Sequence, residues 1–253
     1  MLKKYQITAS IVLFNEDVKE LLRCVDSFLK VPLTKKLYLI DNSPTDRLKD
    51  RFKHPEIEYI FTGKNLGFGK GHNLIIDKIH NAAEYHLILN PDISFEPEVL
   101  LTLIDQLKKD AAVTMVAPKV VYPDGELQYT CRKYPTMLEL VVRRMNIFKN
   151  YTQKREYRNT DLAQPFYPDF IHGVFYLFKT VDLVKINGFD ERYFLYMEDV
   201  DICRKIDALG NKKYYFPKVQ ITHVHKKASA STTNLFFVHL HSSFKYFYKW
   251  GLK

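Results

Sequence analysis

The stretch LILNPDISF, residues 87–95, runs apolar, breaks at Asn90-Pro91-Asp92 and turns apolar again. A chain that leaves a strand through Pro and Asp reads in two ways. It is a turn leading into a helix, with Asp92 or Ser94 as the N-cap. Or it holds Asp92 at the carboxyl edge of a parallel strand, where open α/β sheets bind ligands. The flanking residues decide between them.

Upstream, the hydrophobic period alternates between strand and helix. Residues 6–14 are apolar and β-branched, a strand. Residues 17–29 carry apolar side chains at 18, 21, 22, 25, 28 and 29, the helical spacing. Residues 36–40 form a strand ending at Asp41-Asn42-Ser43, and residues 58–61 a short one. Residues 67–80 read as a helix with a glycine-rich start. Residues 84–89 are the strand that ends at Asn90-Pro91-Asp92; residues 97–109 are a helix and 113–117 a strand. This rhythm predicts a parallel, doubly wound sheet. Three strand ends, Asn15-Glu16, Asp41-Asn42 and Asn90-Pro91-Asp92, are then expected to line one crevice.

The second half is less regular. Residues 119–129 suggest a hairpin around Pro123-Asp124-Gly125. Residues 136–148 form a basic amphipathic helix, and 149–168 a polar loop. Residues 170–178 are a strand containing His172-Gly173, and 181–186 a short helix. Residues 198–209 are a helix, 213–216 and 219–223 strands, and 234–250 a final helix. No linker separates independent units, so residues 1–253 are expected to form one domain.

Composition narrows the function. The chain has 253 residues, 46% of them hydrophobic, long enough for a sizeable core. Three cysteines, Cys24, Cys131 and Cys203, stand far apart and form neither a disulfide framework nor a metal-ligand pair, as expected in a reducing compartment. The first apolar run is too short to span a membrane, so a cytoplasmic protein is expected. The net charge of +9 is spread over several segments rather than one tract. Without a nucleic-acid motif, it points to phosphate-bearing or membrane partners.

Four constellations carry chemistry. Asp92 offers a hard oxygen for Mg²⁺ or Mn²⁺, the ions that neutralise a leaving diphosphate. In FLYMEDVDICRKI, residues 194–206, Glu198, Asp199 and Asp201 precede an apolar-periodic helix. Acids favour a helix N-terminus through its dipole, but the aromatic approach also suits a carboxyl tuned for general-base work. In GKNLGFGKGHN, residues 63–73, glycines open a helix whose N–H groups can approach a phosphate. A dinucleotide fingerprint would follow the first strand rather than the third, so a nicotinamide site is disfavoured. His223, in a strand-end Ile-Thr-His-Val-His run, is a candidate imidazole ligand, with His225 as the alternative.

The ordered set Asn15, Asp41-Asn42-Ser43, Asn65-x-Gly67, Asn90-Pro91-Asp92, His172-Gly173, Gly188-Phe189-Asp190-Glu191, Glu198-Asp199-Val200-Asp201 and His223 resembles the family 2 glycosyltransferases, most of all their bacterial rhamnosyltransferase-like branch. The resemblance implies a GT-A fold: an α/β, Rossmann-like, mostly parallel central sheet flanked by helices, with a smaller acceptor-side region. Residues 1–117 would form the nucleotide-binding half, 118–230 the acceptor and catalytic half, and 231–253 an amphipathic helix. It implies an inverting sugar transfer from a nucleotide-sugar donor, dTDP-rhamnose first and a UDP-hexose second, to a saccharide or lipid-linked saccharide in surface-polysaccharide synthesis. Asn15, Asp41, Asn65, Gly67, Asn90 and Gly173 would bind the nucleotide-sugar. Asp92 and His223 would hold Mg²⁺ or Mn²⁺, and Asp199, beside Glu198, would be the base. Asn90 stands where many members carry the first Asp of the metal motif, which removes one charge from the site.

A sugar-nucleotide nucleotidyltransferase is the competing enzyme class; Asn15-Glu16-Asp17 replaces the basic, glycine-rich signature it would carry after the first strand. A scaffold without turnover is the non-enzyme reading, and Asn90 is its support. The helices at 136–148 and 234–250 mix apolar and basic residues, which suits core packing, an anionic membrane surface on the inner face of the cell membrane, or a homodimer contact.

Overall fold

The computed structural model describes residues 4–145, 148–224 and 233–252. The first half follows the periodicity closely. Strand β1 (Tyr5–Leu13) leads through helix α1 (Val18–Leu29) to β2 (Lys35–Asp41) and β3 (Ile57–Phe61). Asp17 caps α1 by accepting from the N–H groups of Lys19 and Glu20 at 2.9 and 3.3 Å. Leu21, Cys24, Val25 and Phe28 turn inward from it.

The expected single helix over 67–80 is two short ones, α2 (Phe68–Asn73) and α3 (Ile76–Ile79), broken at Leu74-Ile75. Strand β4 (Ala83–Leu89) follows, then the two-residue β5 (Ile93–Ser94), helix α4 (Pro97–Lys109) and β6 (Val113–Val121). Pro97 opens α4 where its missing N–H costs nothing. Glu96, not Asp92 or Ser94, stands at the N-cap position, so the turn reading of Asn90-Pro91-Asp92 does not account for Asp92.

Downstream, the 119–129 region folds back on β6 around Pro123-Asp124-Gly125 as expected: Gly125 N–H donates to Tyr122 O, Tyr122 N–H to Glu126 O and Gln128 N–H to Val120 O, with an antiparallel bridge between Val121 and Leu127. Beyond it, more expectations change. β7 (Cys131–Arg132), α5 (Met137–Met145) and α6 (Lys149–Arg155) come next; α6 lies where a loop was expected. The 170–178 strand is divided at His172-Gly173-Val174 into β8 (Phe170–Ile171) and β9 (Phe175–Lys179). After α7 (Thr180–Lys185) and α8 (Glu198–Ala208), the two expected strands are one bulged strand, β10 (Lys212–His223). Helix α9 (Thr233–Trp250) completes the described chain.

Among the described residues, eight strands form one sheet in the order β3-β2-β1-β4-β9-β6-β10-β5. Pairs β1–β2, β2–β3, β1–β4 and β6–β10 are parallel. β9 is inserted antiparallel between β4 and β6, so the sheet is mostly, not wholly, parallel. The arrangement has one functional consequence. β1, β2, β4, β6 and β10 all end at the same edge, and the antiparallel β9 begins there, with Phe175 opposite Leu89. Apolar clusters cover both sheet faces, one around Phe28, Leu100 and Leu103, the other around Ile75, Phe189 and Ile202.

Candidate active site

Three groups of side chains meet along that carboxyl edge. The first surrounds the ends of β1 and β2, where Leu13 pairs with Asp41. Asn15 turns the chain with φ 56°, and its N–H donates to Ser43 Oγ at 2.8 Å. Asp41 is buried; its carboxylate accepts from Ser43 N–H and from the Tyr59 hydroxyl. Burial, reinforced by that hydrogen bond and the Asp41 charge, pushes the Tyr59 phenol above its ordinary value. Asn42 Nδ2 donates to Gly67 O at 3.1 Å, and Asn65 Oδ1 accepts from Gly67 N–H at 3.0 Å. Gly67 has φ 82°, and a Cβ there would stand 2.1 Å from Phe194 O. Only glycine lets the start of α2 press against the loop that leads to Glu198.

The second group is the acid corner. Tyr196 and Met197 both have φ 68°, left-handed conformations unusual for such side chains. The turn they make delivers Glu198 and Asp199 at the start of α8. Asp199 Oδ2 lies 3.1 Å from His172 Nδ1, and Oδ1 accepts from Val200 N–H at 2.9 Å. Burial alone would raise the Asp199 pKa; the His172 hydrogen bond and charge, with the N–H groups of Val200 and Gly173, outweigh it and hold the carboxyl below its ordinary value. Glu198 behaves oppositely. It is buried, Oε2 has no hydrogen-bond partner, and burial plus the neighbouring Asp199 charge push it up to about 8. The helix dipole alone, which would ionise both acids, does not explain this split. Gly173 sits beside Asp199: a Cβ there would lie 3.5 Å from Asp199 Cβ and 3.7 Å from Phe68.

The turn before α8 is gripped from behind by α9. Lys249 Nζ and Trp250 Nε1 each donate to Asp201 Oδ1 at 2.7 Å. Ser242 Oγ donates to Leu195 O at 2.8 Å, and the His239 ring meets Tyr196.

The third group joins β5 to β10. His223 pairs with Ile93 in the sheet, and Val224 N–H donates to Asp92 O. This places His223 Nε2 3.3 Å from Asp92 Oδ1. Two neighbouring ligands of an octahedral ion with bonds of 2.0–2.1 Å stand about 3 Å apart, so the pair fits a divalent cation. Among the described residues no cluster of three or more His, Cys, Asp or Glu side chains could hold a metal. Mg²⁺ commonly takes only one or two carboxylates and completes its shell with substrate phosphates and water. His225 lies outside the described residues.

The groups are linked. Asn90 N–H donates to Val174 O at 3.0 Å, tying the Asn90-Pro91-Asp92 turn to the segment bearing His172 and Gly173. The Phe68 ring lies beside Gly173, tying α2 to Asp199. A separate hollow of about 540 Å³, lined by Asn73, Ile76, Phe189 and Lys205 among others, contains none of these acids. The sequence reading did not single out Tyr59, Gln128 or the His172 ring as partners of the site. No local spacing reveals them, because their partners come from distant segments.

This sheet, with its acids gathered at the carboxyl edge, has the GT-A architecture of solved glycosyltransferases. The solved structure of GalNAc-T7 with UDP, GalNAc and Mn²⁺ is similar, with TM-score 0.68 and 14% identity over 92% of this chain and 46% of that one. So is the mannosyltransferase PcManGT from Pyrobaculum calidifontis in complex with GDP-Man and Mn²⁺, with TM-score 0.60 and 16% identity over 89% of this chain and 59% of that one. The chain thus spans about half the length of these structures, and at such identity they speak to the fold. The sequence profile of glycosyl transferase family 2 matches residues 8–176. The chain belongs to that family. It is 30% identical over 220 residues to the rhamnosyltransferase WbbL of Escherichia coli K12, covering 83% of this chain and 81% of the relative. It is 26% identical over 205 residues to the N-acetylglucosaminyl-diphospho-decaprenol L-rhamnosyltransferase of Mycobacterium tuberculosis H37Rv, covering 76% and 66% respectively. It is a glycosyltransferase of the rhamnosyltransferase-like kind, active in glycan synthesis.

Proposed function

We propose that the protein transfers a sugar, with inversion, from a nucleoside-diphosphate sugar to a saccharide hydroxyl, and that dTDP-rhamnose is the donor, ahead of a UDP-hexose. The observation that carries this reading is the pairing of an ionised Asp199 with His172 beside the strand-end turn that holds Asp92. Residues 1–117 form the nucleotide half and 118–230 the acceptor half.

In this reading Asn15, Asp41, Asn65 and Gly67 frame the base and ribose, and Asn90 and Gly173 border the sugar. Asp92 and His223 would hold Mg²⁺ or Mn²⁺, which would supply positive charge to offset that of the departing diphosphate. Asp199 accepts the proton of the acceptor hydroxyl. The acceptor oxygen bonds to the anomeric carbon as the bond from that carbon to the diphosphate oxygen breaks, and one such displacement inverts the centre. Glu198, uncharged near neutrality, leaves Asp199 as the single negative base.

The acceptor is a lipid-linked saccharide at the inner face of the cell membrane. The outward face of α9 supports this: Phe237, Leu240, Phe244 and Tyr248 are 60, 53, 72 and 84% exposed, a continuous apolar stripe on a chain of net charge +9. No helix among the described residues is long and apolar enough to cross a membrane. A homodimer through the same stripe is the competing use of it.

Thermal unfolding against UDP, dTDP, GDP, CDP and NAD, each with and without Mn²⁺, tests the donor and metal assignments. A ligand at about 100 times its dissociation constant adds roughly 2.7 kcal/mol. A pyrimidine diphosphate shift that needs Mn²⁺ and disappears in Asp92→Ala supports them. No shift with any diphosphate, or one with NAD alone, rejects them.

A further inference from the structure

The turn after β6 buries one side chain that no strand-end motif accounts for. Gln128 is almost fully buried, and its main chain is fixed by its N–H to Val120 O and by Thr130 N–H to its own carbonyl, both at 2.9 Å. Its amide makes two contacts with a single residue 95 positions away. Nε2 donates to His223 O at 2.8 Å, and Oε1 lies 2.8 Å from His223 Nδ1.

These two contacts settle a question that side-chain position alone leaves open. A backbone carbonyl can only accept a hydrogen bond, so the amide group facing His223 O must be the NH₂. The other end is then the carbonyl oxygen, which can only accept, so His223 Nδ1 must carry a hydrogen. A neutral imidazole has one N–H, and Nε2 is left with its lone pair. That lone pair faces Asp92 Oδ1 at 3.3 Å.

We infer that Gln128 is a positioning residue: it locks His223 in the Nδ1–H tautomer and so aims the Nε2 lone pair, with the Asp92 carboxylate, at a divalent cation. This rests on the cation reading of Asp92 and His223. A metal-bound histidine is commonly oriented through its other ring nitrogen, and losing such a partner typically costs ten- to a hundredfold in metal affinity. Here the orienting group is a neutral amide whose own orientation is dictated by the backbone of the histidine it holds.

The test has two readouts, neither of them turnover. The ¹⁵N signals of the His223 ring, recorded at alkaline pH in the metal-free protein, report the tautomer. Titration with Mn²⁺ in the presence of dTDP or UDP reports affinity. Wild type is expected to show Nδ1–H. Gln128→Leu is expected to move the hydrogen to Nε2, where it donates to Asp92, and to weaken Mn²⁺ by about ten- to a hundredfold. Gln128→Glu, which keeps an acceptor at Nδ1 but loses the donor to His223 O, is expected to retain the Nδ1–H tautomer, which separates the tautomer effect from the loss of the second contact. An Nε2–H tautomer in wild type would overturn the inference. So would Mn²⁺ affinity that depends on His223 and Asp92 yet is unchanged in Gln128→Leu. Absence of Mn²⁺ binding in wild type would instead overturn the cation reading beneath it.

Discussion

His172 Nδ1 stands 3.1 Å from Asp199 Oδ2, while Glu198, next to it in the chain, has a buried Oε2 with no partner. Two adjacent carboxyls are thereby driven to opposite protonation states. Asp199 has a cationic or hydrogen-bonding partner and two backbone N–H groups; Glu198 has burial and its neighbour's charge. Such a split leaves one carboxyl able to accept a proton near neutrality and keeps the other protonated.

Asp199→Asn removes the acceptor of the proton while keeping the shape. Transfer should fall by about 10²–10⁴-fold, the usual contribution of a general base. Donor affinity, measured by titration with the nucleotide diphosphate, should change little. Unaltered kcat in this variant would remove Asp199 from the mechanism.

Glu198 makes a prediction about stability. An acid whose folded pKa lies above its ordinary value favours the fold when protonated, so its contribution is complete below the ordinary value, near 4.5, and is lost as pH rises toward about 8. Glu198→Gln should therefore gain on wild type steadily from acid to mildly alkaline pH. Urea unfolding at both ends of that window measures it; a constant difference between the two proteins would contradict the buried, neutral state.

His172→Phe deletes the main partner that holds Asp199 down and leaves burial opposed by the Val200 and Gly173 N–H groups alone. The Asp199 pKa should rise, and the acid limb of kcat/KM should move to higher pH with it. A lowered plateau with an unmoved limb would mean that His172 serves the substrate and not the base.

Gly67→Ala would force a left-handed alanine against Phe194 O. Because the obstacle is backbone, no side-chain rotation relieves it. The cost should be roughly 2–4 kcal/mol, read by denaturant unfolding. The loss of transfer should exceed what unfolding explains, since the displaced loop carries the acids.

The α9 stripe can be separated from the fold, because Phe237 and Phe244 are exposed while Ser242, Ser243, Tyr246 and Phe247 face inward. Replacing both phenylalanines with Ser should abolish flotation with anionic vesicles and leave the melting temperature within a degree or two. A wild type that ignores vesicles but runs as a dimer, split by the same substitutions, would assign the stripe to self-association.

How much of this was legible beforehand depends on where each residue's partner lies. α1 and α4 write their buried faces into the local period, and their bounds differ little from the expectation. Strands β1, β2 and β4 end where polar residues interrupt apolar runs, so the sequence alone puts Asn15, Asp41 and Asp92 at one edge. β9 was legible as a strand but not as an antiparallel insertion, because the neighbour of a strand is set by pairing across the sheet. The break at His172-Gly173 has the same origin: β8 pairs with β7 and His172 N–H donates to Thr130 O, while Val174 N–H turns back to His172 O before β9 joins β4. Gln128 reads as one more turn residue until His223 arrives beside it. The N–H of Gly173, which faces Asp199, is likewise invisible in the local sequence.

The grip of α9 on the turn before α8 bears on how the protein comes to work while it is being made. The acids sit on two left-handed residues that relax unless something opposes them, and what opposes them, through Asp201 and Leu195, lies as much as 49 residues further along. During translation the sheet and its Asp41 corner can assemble while that turn is still unsecured. A growing chain can therefore pair its strands well before Glu198 and Asp199 are held in place. The placing of the two acids arrives as a late, separate event in the life of each molecule.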